Sequence, residues 1–319
     1  MVMDNITKNL LKEIASLHEI PDGAVSLRKN GKGEIIKSSK NIEIKKKKNG
    51  DGINVYVRST CKGEACHIPV VVSENDFFDL TYNDFYIEDD AEVTIVAGCG
   101  IHSNTESGHD GIHTFHVGKN AKVTYVENHL AVGKGKNKTL NPVTKITIEE
   151  GGSMTMNTTQ IGGVDYSKRI TSATLKANAF LEVNEKILTD KFNVAKTDFK
   201  VTLIGENSKC NIVSRSVAKG ESEQIFKSNL IGKSSCFGRV ECDAILLDNA
   251  VVISEPKISA KNKNASLSHE ATVGKIAQEQ LVKLMTLGLS EKQAEEKIIE
   301  GFSNEKPYLT TTIIQFSDD

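Results

Sequence analysis

The sequence has no tryptophan, and aromatic residues make up only 5% of it. A core therefore has to be built mainly from Val, Ile, Leu and Ala. No apolar run approaches the roughly 18 residues of a membrane span, and the first ten residues lack an apolar signal-peptide core. The six cysteines are too few for a disulfide framework. We therefore expect a cytoplasmic protein with reduced thiols, neither exported nor bound to a membrane.

The chain also lacks an excess of charge of either sign. Its 40 Lys and Arg face 42 Asp and Glu, a formal net charge of -2, which argues against a general nucleic-acid binder. No nucleotide-binding loop is present, because the Gly133 to Thr139 stretch lacks the glycine that must precede its Lys-Thr pair. Any use of ATP must therefore come from a partner. The length of 319 residues allows two domains or one elongated domain.

What the sequence does contain, from about residue 88, is a repeat. A turn-like residue, a small residue and a short β-branched strand recur, with the small residues separated by 30, 31, 27, 29, 27, 15 and 15 positions. The last two spacings are about half of the others, so a strand–turn unit of the shorter length underlies the series. The small residues are Ala91, Ala121, Gly152, Ala179, Ser208, Ser235, Ala250 and Ala265.

Units of this kind cannot bury their apolar side alone and must stack. The repeat predicts an all-β core, a parallel β-helix over residues 88–273; a β-sandwich is the alternative, because it too has evenly spaced short strands. We expect residues 1–87 to form an N-terminal helix and strand region. Residues 274–319 should form a C-terminal helical region and a terminal strand.

The C-terminal region predicts two helices. The first has apolar residues at helical spacing from Ile276 and ends at Gly288, a favourable residue after a helix. The second opens with a Ser290 to Gln293 capping box and stops at Gly301. A strand-like stretch, 308–316, then closes the sequence.

One candidate site is rich in histidine. Cys99, His102, His109, His113 and His116 fall close together in the sequence, and imidazole with thiolate suits zinc or iron. On a strand, His109 and His113 share one face, while Asp110 and His116 lie on the other. Two interpretations stay open: a secondary metal site, or polar residues on the solvent side of one turn. The first would fit a metal-dependent or carbohydrate-active β-helix hydrolase.

A second candidate site lies near the end of the repeats. Cys242 precedes an apolar strand, and His269-Glu270 follows further along the chain. Their separation is close to two strand–turn units, so Cys242 and Glu270 are expected to project from nearby rungs. Thiolate, carboxylate and imidazole together suit a soft metal or sulfur chemistry. The alternative is that these residues only cap the helix that starts at Ile276.

These residues also carry a resemblance. Cys242-Asp243 before a short strand, His269-Glu270-Ala271-Thr272 and the paired helices ending at Phe302 resemble the SufB/SufD family of iron–sulfur cluster assembly proteins. The resemblance covers residues 88–303 and implies a right-handed parallel β-helix with helical ends. It implies a non-catalytic scaffold for a nascent iron–sulfur cluster. The essential cysteine and glutamate of SufB fall on Cys242 and Glu270, and the important histidine of SufD falls on His269.

The resemblance further implies partners. The chain is similar to a minimal B-type form that pairs with itself, so a homodimer is expected, together with a sulfur donor and recipient apo-proteins. SufB and SufD bind the ABC-type ATPase SufC through their C-terminal helices, which places docking near Met285, Leu287 and Leu289. The hydrolase, and a purely structural partner with an inert site, remain the competing classes.

Overall fold

A computed structural model describes residues 3–48 and 51–303 of the chain. Three helices lie in this part: α1 (Asn5–Ala15), α2 (Gln278–Thr286) and α3 (Glu291–Ser303). The strands between α1 and α2 are β1 (Ala24–Lys29), β2 (Lys32–Lys37), β3 (Ile42–Lys46), β4 (Ile53–Val57), β5 (Lys62–Val72), β6 (Phe77–Ile87), β7 (Glu92–His102), β8 (Ser107–Val117), β9 (Lys122–Val132), β10 (Lys138–Leu140), β11 (Val143–Ile148), β12 (Ser153–Gly162), β13 (Tyr166–Leu175), β14 (Phe180–Thr189), β15 (Val194–Leu203), β16 (Lys209–Ala218), β17 (Glu223–Gly232), β18 (Phe237–Leu246), β19 (Val251–Ala260) and β20 (Ser266–Lys275).

Consecutive strands of the repeat alternate between two sheets, so each coil contributes one strand to each. Sheet A has the order β2-β1-β5-β7-β9-β12-β14-β16-β18-β20, and sheet B has the order β19-β17-β15-β13-β10-β8-β6-β4-β3, with β11 beside β8 and β13. Pairing between coils is parallel. About eight coils stack in this way. The predicted parallel β-helix is therefore confirmed, and the sandwich is excluded because its neighbouring strands would run antiparallel.

The corner residues explain the repeat. At the corner that leads into sheet A, one residue per coil adopts the left-handed backbone conformation, with φ between 53° and 68°. Asn, Asp and Gly tolerate that conformation best, and the positions are Asp90, Asn120, Gly151, Asn178 and Asn207. The small residue that follows is buried inside the corner, as at Ala91, Ala121 and Ala179. The repeating unit is thus one strand with its corner, and two units make a coil.

The structure corrects the repeat at its end. Cys236, not Ser235, occupies the corner position before β18, because Ser266 N–H bonds to the Cys236 carbonyl one coil further on. Ala250 precedes β19 and so belongs to the opposite corner. The halved spacing arose because the sequence series passed from one corner to the other.

Inward-facing residues of equal register form columns along the axis. One column of sheet A runs through Val93, Val123, Met154, Leu181, Cys210, Gly238 and Leu267. On the facing sheet, Phe85 and Phe115 stack with ring centroids 4.4 Å apart. This apolar half of the interior is the main hydrophobic core, and the other half of the interior is polar.

The N-terminal end of the solenoid is closed by antiparallel pairs. Strands β1 and β2 pair antiparallel, as do β3 and β4, and Ile42 and Val55 of the second pair are fully buried. Helix α1 lies on the outer face of sheet A. A Cβ atom at Gly98 would stand only 2.6 Å from the Ile14 carbonyl oxygen, so glycine at this position lets the helix approach.

Helix α2 is shorter than the sequence predicts, and α3 is longer. Helix α2 begins at Gln278 rather than Ile276, and α3 continues past Gly301 to Ser303. The predicted capping box is confirmed: Ser290 N–H donates to Gln293 Oε1 at 2.9 Å, and Gln293 N–H donates to Ser290 Oγ at 3.3 Å. Ile299 packs with Val217 and Ile245, which fixes α3 to the outer face of sheet A.

Two expectations for this region remain untested. The strand predicted for 308–316 lies outside the described residues, and the division of the chain into three domains stays a prediction. None of the helices in residues 3–48 and 51–303 has the length and apolarity that crossing a membrane requires.

Candidate functional site

Cys242 lies in β18 with its side chain directed into the solenoid and only 2% exposed. It stands opposite Ser214 of the preceding coil and Ala271 of the following one. Burial raises the pKa of its thiol to about 11, although the nearby Ser254 side chain opposes the shift. The thiol is therefore neutral at pH 7, and binding to iron has to displace its proton.

Cys242 is the last member of a polar column inside sheet A. In register along the axis lie Glu127, Thr158, Glu185, Ser214 and Cys242. Ser214 Oγ donates to Glu185 Oε2 at 2.9 Å, and Thr197 Oγ1 of the facing sheet donates to Glu185 Oε1 at 3.1 Å. The polar half of the interior thus leads along the axis to the thiol.

A buried ion-pair network occupies the middle of this column. Arg169 Nη1 lies 2.5 Å from Glu127 Oε2, and Arg169 Nε lies 3.5 Å from Glu185 Oε1. Burial opposes the charged form of Glu127, but Arg169 and His129 hold its pKa well below the ordinary value. At Glu185 burial outweighs Arg169, and the pKa is raised. One guanidinium thus stabilises one carboxylate fully and the other only in part.

The final coil, β19 and β20, leaves the interior uncovered. Ile258 and Val273 point inward but are 43% and 40% exposed, because the described chain provides no further coil above them. His269 also points inward, opposite Val240, and burial lowers its pKa. Its Nε2 has no hydrogen-bond partner. Cys242 and His269 therefore lie on the same inner face, beneath the open end.

Glu270 lies on the other face of the same strand. It stands opposite Glu241, and Arg239 Nη2 contacts Glu241 at 2.8 Å and Glu270 at 2.9 Å. Cys242 and Glu270 do lie on neighbouring rungs, β18 and β20, as expected. However, the thiol faces the interior and the carboxylate faces the outside, on the side where α3 packs.

The histidine cluster divides between two faces, as strand alternation predicted. His109 and His113 point inward and are buried, whereas Asp110 and His116 point outward, where the His116 ring stacks on Tyr86 at 5.0 Å. His102 ends β7 and is buried. A solvent-facing position is therefore wrong for His109 and His113.

The inward histidines line a small cavity together with Cys99, Glu127 and His129. The Tyr125 hydroxyl donates to Glu127 at 3.0 Å, so His113 Nδ1–H is the donor in its 2.9 Å bond to Tyr125. Burial lowers the pKa of His113 to about 4, which keeps the ring neutral. Within the described residues, no three His, Cys, Asp or Glu side chains are arranged to hold a metal ion. His113 therefore forms part of a hydrogen-bonded interior.

Sequence reasoning missed the members of the polar column other than Cys242, and a signal for them existed. Polar residues at 127, 158, 185, 214 and 242 recur with the coil length of the repeat. Small residues at the corners mark the turns only and carry no information on the interior positions. A search for polar residues at the same period would have found the column.

The proposed docking residues lie around the turn between α2 and α3. Leu287 is 79% exposed, Met285 is exposed and Leu289 is half-buried. Leu281 is buried against the neighbouring structure. The turn thus presents apolar side chains to solvent between α2 and the capped, anchored α3.

Comparison with known proteins identifies the family. The model of the SUF system FeS cluster assembly SufBD core domain matches residues 73–302. The chain belongs to the SufBD family. An iron–sulfur cluster assembly SufBD family protein of Archaeoglobus fulgidus is 30% identical over 79% of this chain and 69% of its own. A Methanocaldococcus jannaschii relative of the same description is 29% identical over 74% and 75%. A Staphylococcus epidermidis relative is 31% identical over 67% and 47%.

Membership of the SufBD family gives the chain a role in iron–sulfur cluster assembly. The fold agrees with that assignment, since the matched residues contain the solenoid from β6 onward and both C-terminal helices. Cys242, His269 and Glu270 all lie within the matched region.

Proposed function

We propose that this chain is a non-catalytic scaffold on which a nascent iron–sulfur cluster is built before transfer to apo-proteins. The cluster is cargo and not a resident group. The observation that supports this most directly is the position of Cys242, a buried thiol at the end of a polar column and one coil below an open end. Ala271 stands above it, and so small a side chain leaves room for a ligand to reach the sulfur.

Two copies of the chain complete the site. One thiol and one imidazole are too few ligands to close a cluster, and a twofold axis at the final coil doubles both. Ile258 and Val273 supply apolar surface there, and β19 and β20 have unpaired edges that a second copy can cover. Replacing Ile258 and Val273 together by Asp should therefore convert a dimer into a monomer in light scattering. A wild-type monomer at all concentrations, with or without the ATPase, would contradict this arrangement.

Glu270 needs a conformational step to join Cys242. It lies in the last strand of sheet A, and a shift of that strand by one residue would exchange its inward and outward side chains, so that His269 faces the interior before the shift and Glu270 after it. The strand is followed almost directly by α2. A movement of the helix pair can therefore be transmitted directly to Glu270, which would then serve as an oxygen ligand or proton acceptor beside the thiol.

The partner that moves the helices is a SufC-type ABC ATPase, docked on Met285, Leu287 and Leu289. The chain has no nucleotide-binding loop of its own, and Met285 and Leu287 are exposed at this turn. Leu287→Glu with Leu289→Glu should abolish co-purification with the ATPase and leave the melting temperature almost unchanged. If the fold collapses instead, the turn serves as a cap for the solenoid.

Anaerobic reconstitution with ferrous iron and sulfide tests the scaffold itself. Cys242→Ser and Glu270→Gln should each sharply reduce the cluster that absorption spectroscopy detects, because each removes a negatively charged ligand. Cys210→Ser is the matched control, since Cys210 is also buried and points inward but lies in the apolar column. Equal retention in all three variants, or no cluster in the wild type, would refute the assignment.

A further inference from the structure

The outer face of sheet B carries an exposed apolar stripe at the N-terminal half of the solenoid. Four residues of β6 share the outward face of that strand and are 37–58% exposed: Phe78, Leu80, Tyr82 and Tyr86. Phe78, Leu80 and Tyr82 are consecutive on this face, and Asp84 separates them from Tyr86. Single exposed apolar side chains are common on protein surfaces, but a contiguous run of this kind marks an interaction site. We call these four residues the apolar stripe.

Aromatic stacking extends the apolar stripe onto the neighbouring strands and orders it. The Tyr86 ring stacks on Tyr56 at 5.1 Å and on His116 at 5.0 Å, with interplanar angles of 12° and 5°. At the other end Phe78 lies over Gly108, where a Cβ atom would come within 2.9 Å of the Phe78 ring. Side chains held in this way lose little entropy when a partner binds.

The same coils show what covers such a face. On sheet A, α1 packs on the outer side of β7 and β9 through Leu10, Leu11 and Ile14. The helix is amphipathic, with its buried residues at helical spacing. On sheet B, no helix of the described chain lies over the apolar stripe. Since an amphipathic helix packs on the outer face of sheet A, a helix of the same kind can also pack on the outer face of sheet B.

The charges around the apolar stripe specify the ends of that helix. Between Lys62 and Lys119 the chain has no Lys or Arg, and its acidic residues there are Glu64, Glu74, Asp76, Asp79, Asp84, Glu88, Asp89, Asp90, Glu92, Glu106 and Asp110. Asp84 is paired with Lys47 at 2.8 Å, and Asp79 with Arg28. The exposed carboxylates that remain close to β6 lie at its two corners: Glu74 and Asp76 before the strand, and 88–90 after it.

We propose that the apolar stripe binds an amphipathic helix of a partner protein that carries Lys or Arg near both of its ends. From Phe78 to Tyr86 the strand spans about 26 Å at roughly 3.3 Å per residue, which a helix of about 18 residues matches at roughly 1.5 Å per residue. The apolar side of that helix contacts Phe78, Leu80, Tyr82 and Tyr86, and its cations meet the carboxylates of the two corners. This binding is separate from the cluster site at the other end of the solenoid.

Two synthetic amphipathic peptides of that length, with the same apolar side, test the proposal on the full-length chain. One has three Lys at each end, the other three Glu. Fluorescence anisotropy should show that the Lys peptide binds at least ~10-fold more tightly, and that raising the salt concentration weakens it several-fold. Phe78→Ser with Tyr82→Ser should weaken the Lys peptide by about 10-fold or more. Phe192→Ser is the matched control, because Phe192 is 72% exposed at a different corner, and it should change nothing.

Three results would overturn the proposal. They are absence of binding by the Lys peptide, equal affinity for both peptides, and undiminished affinity in the Phe78→Ser, Tyr82→Ser variant. Light scattering of the same variants separates a fourth outcome. If the particle mass of the double variant is lower than that of the wild type, and that of Phe192→Ser is not, a second copy of this chain occupies the apolar stripe. In that case the stripe does not bind a partner helix. The double variant should keep the wild-type melting temperature, since both side chains are exposed.

Discussion

The two ends of the solenoid meet the same physical problem in different ways. A stack of coils leaves an unpaired strand edge and an uncovered apolar interior at each end. At the N-terminal end the antiparallel pairs β1–β2 and β3–β4 cover the interior, with Ile42 and Val55 fully buried, and β2 and β3 are left as the edge strands. At the C-terminal end β19 and β20 are the last strands of the described chain, and Ile258 and Val273 stay open to solvent.

This difference is consistent with the proposal that a partner binds at the C-terminal end. The edge strand β3 ends in Lys45 and Lys46, and charge of this kind prevents pairing with another chain. The C-terminal end instead combines open apolar side chains with the thiol and imidazole of the candidate site. The interior is covered by the chain itself at the N-terminal end, whereas the exposed interior at the C-terminal end is suited to bind another molecule.

Of the contrasts between the two ends, we expect the largest in how much one ion pair at each end contributes to the free energy of unfolding. Asp79 is buried and bonded by Arg28 at 2.6 Å, whereas Glu270 is well exposed beside Arg239. We expect Asp79→Asn to lower the free energy of unfolding by about 3–5 kcal/mol, because it leaves a largely buried guanidinium unpaired. Glu270→Gln should cost less than about 1 kcal/mol. Urea denaturation measures both, and similar losses would contradict the contrast.

The same pair gives a pH dependence whose sign follows from its pKa. Burial opposes the charged form of Asp79, but the neighbouring His109 and the hydrogen bonds from Arg28 hold its pKa well below the ordinary value of 3.8. A carboxyl whose pKa falls on folding stabilises the protein above the unfolded pKa and loses that effect in acid. Stability should therefore fall below about pH 4 in the wild type, and less steeply in Asp79→Asn.

Truncating one isoleucine at each end tests the contrast in packing. Ile42→Ala should lower the free energy of unfolding by about 2–4 kcal/mol, since it leaves a cavity in a closed core. Ile258→Ala should cost less than about 1 kcal/mol when measured on the monomer, because the side chain is already half in water. A large loss for Ile258→Ala at protein concentrations where only monomer exists would show that the described chain is closed there after all.

Cysteines at the two ends sharpen the comparison through their reactivity. Burial raises the pKa of Cys66 to about 12 and that of Cys242 to about 11. Since the thiolate is the nucleophile, alkylation of both by iodoacetamide should speed up about 10-fold per pH unit between about pH 8 and 10. Peptide mass spectrometry should find Cys242 labelled at least ~10-fold faster at each pH. Faster labelling of Cys66 would mean that the N-terminal end opens first.

The smallest contrast concerns the helix caps. Asp4 accepts a hydrogen bond from Thr7 N–H at 2.8 Å and also contacts Lys29 at 2.6 Å, whereas the Ser290 side chain accepts one longer bond, 3.3 Å from Gln293 N–H. Asp4→Ala should cost about 1–2 kcal/mol and Ser290→Ala about 0.5–1 kcal/mol. Thermal melting followed by circular dichroism distinguishes them, and the reverse order would be inconsistent with the packing of α1 on the solenoid.

Much of the fold followed from particular residues. The Asn, Asp and Gly positions before Ala91, Ala121 and Ala179 predicted the corners, because few residues accept the left-handed conformation there. The capping box at Ser290 predicted the start of α3 to the residue. The closure of the N-terminal end was not visible in the sequence, because it depends on which strand each hairpin meets.

The candidate site shows a sharper limit. The residue opposite Cys242 on the next coil is Ala271, which comes directly after Glu270 in the sequence. Strand alternation turns that offset of a single position into opposite faces. Coil lengths vary along the repeat, so the spacing in the sequence does not tell whether Glu270 or Ala271 lies opposite Cys242. The faces were decided only by the pairing of β18 with β20.

The sequence by itself determined what each coil is made of: the corner residues, the apolar strands, and the thiol, imidazole and carboxylate near the end of the repeat. These properties are local, because they depend on backbone conformations and side chains within one strand and its corner. The tertiary structure alone decided the register between coils, and with it the polar column, the face on which Glu270 lies and the difference between the two ends. Register depends on contacts between residues a whole coil apart along the chain, and only the stacked chain brings them together.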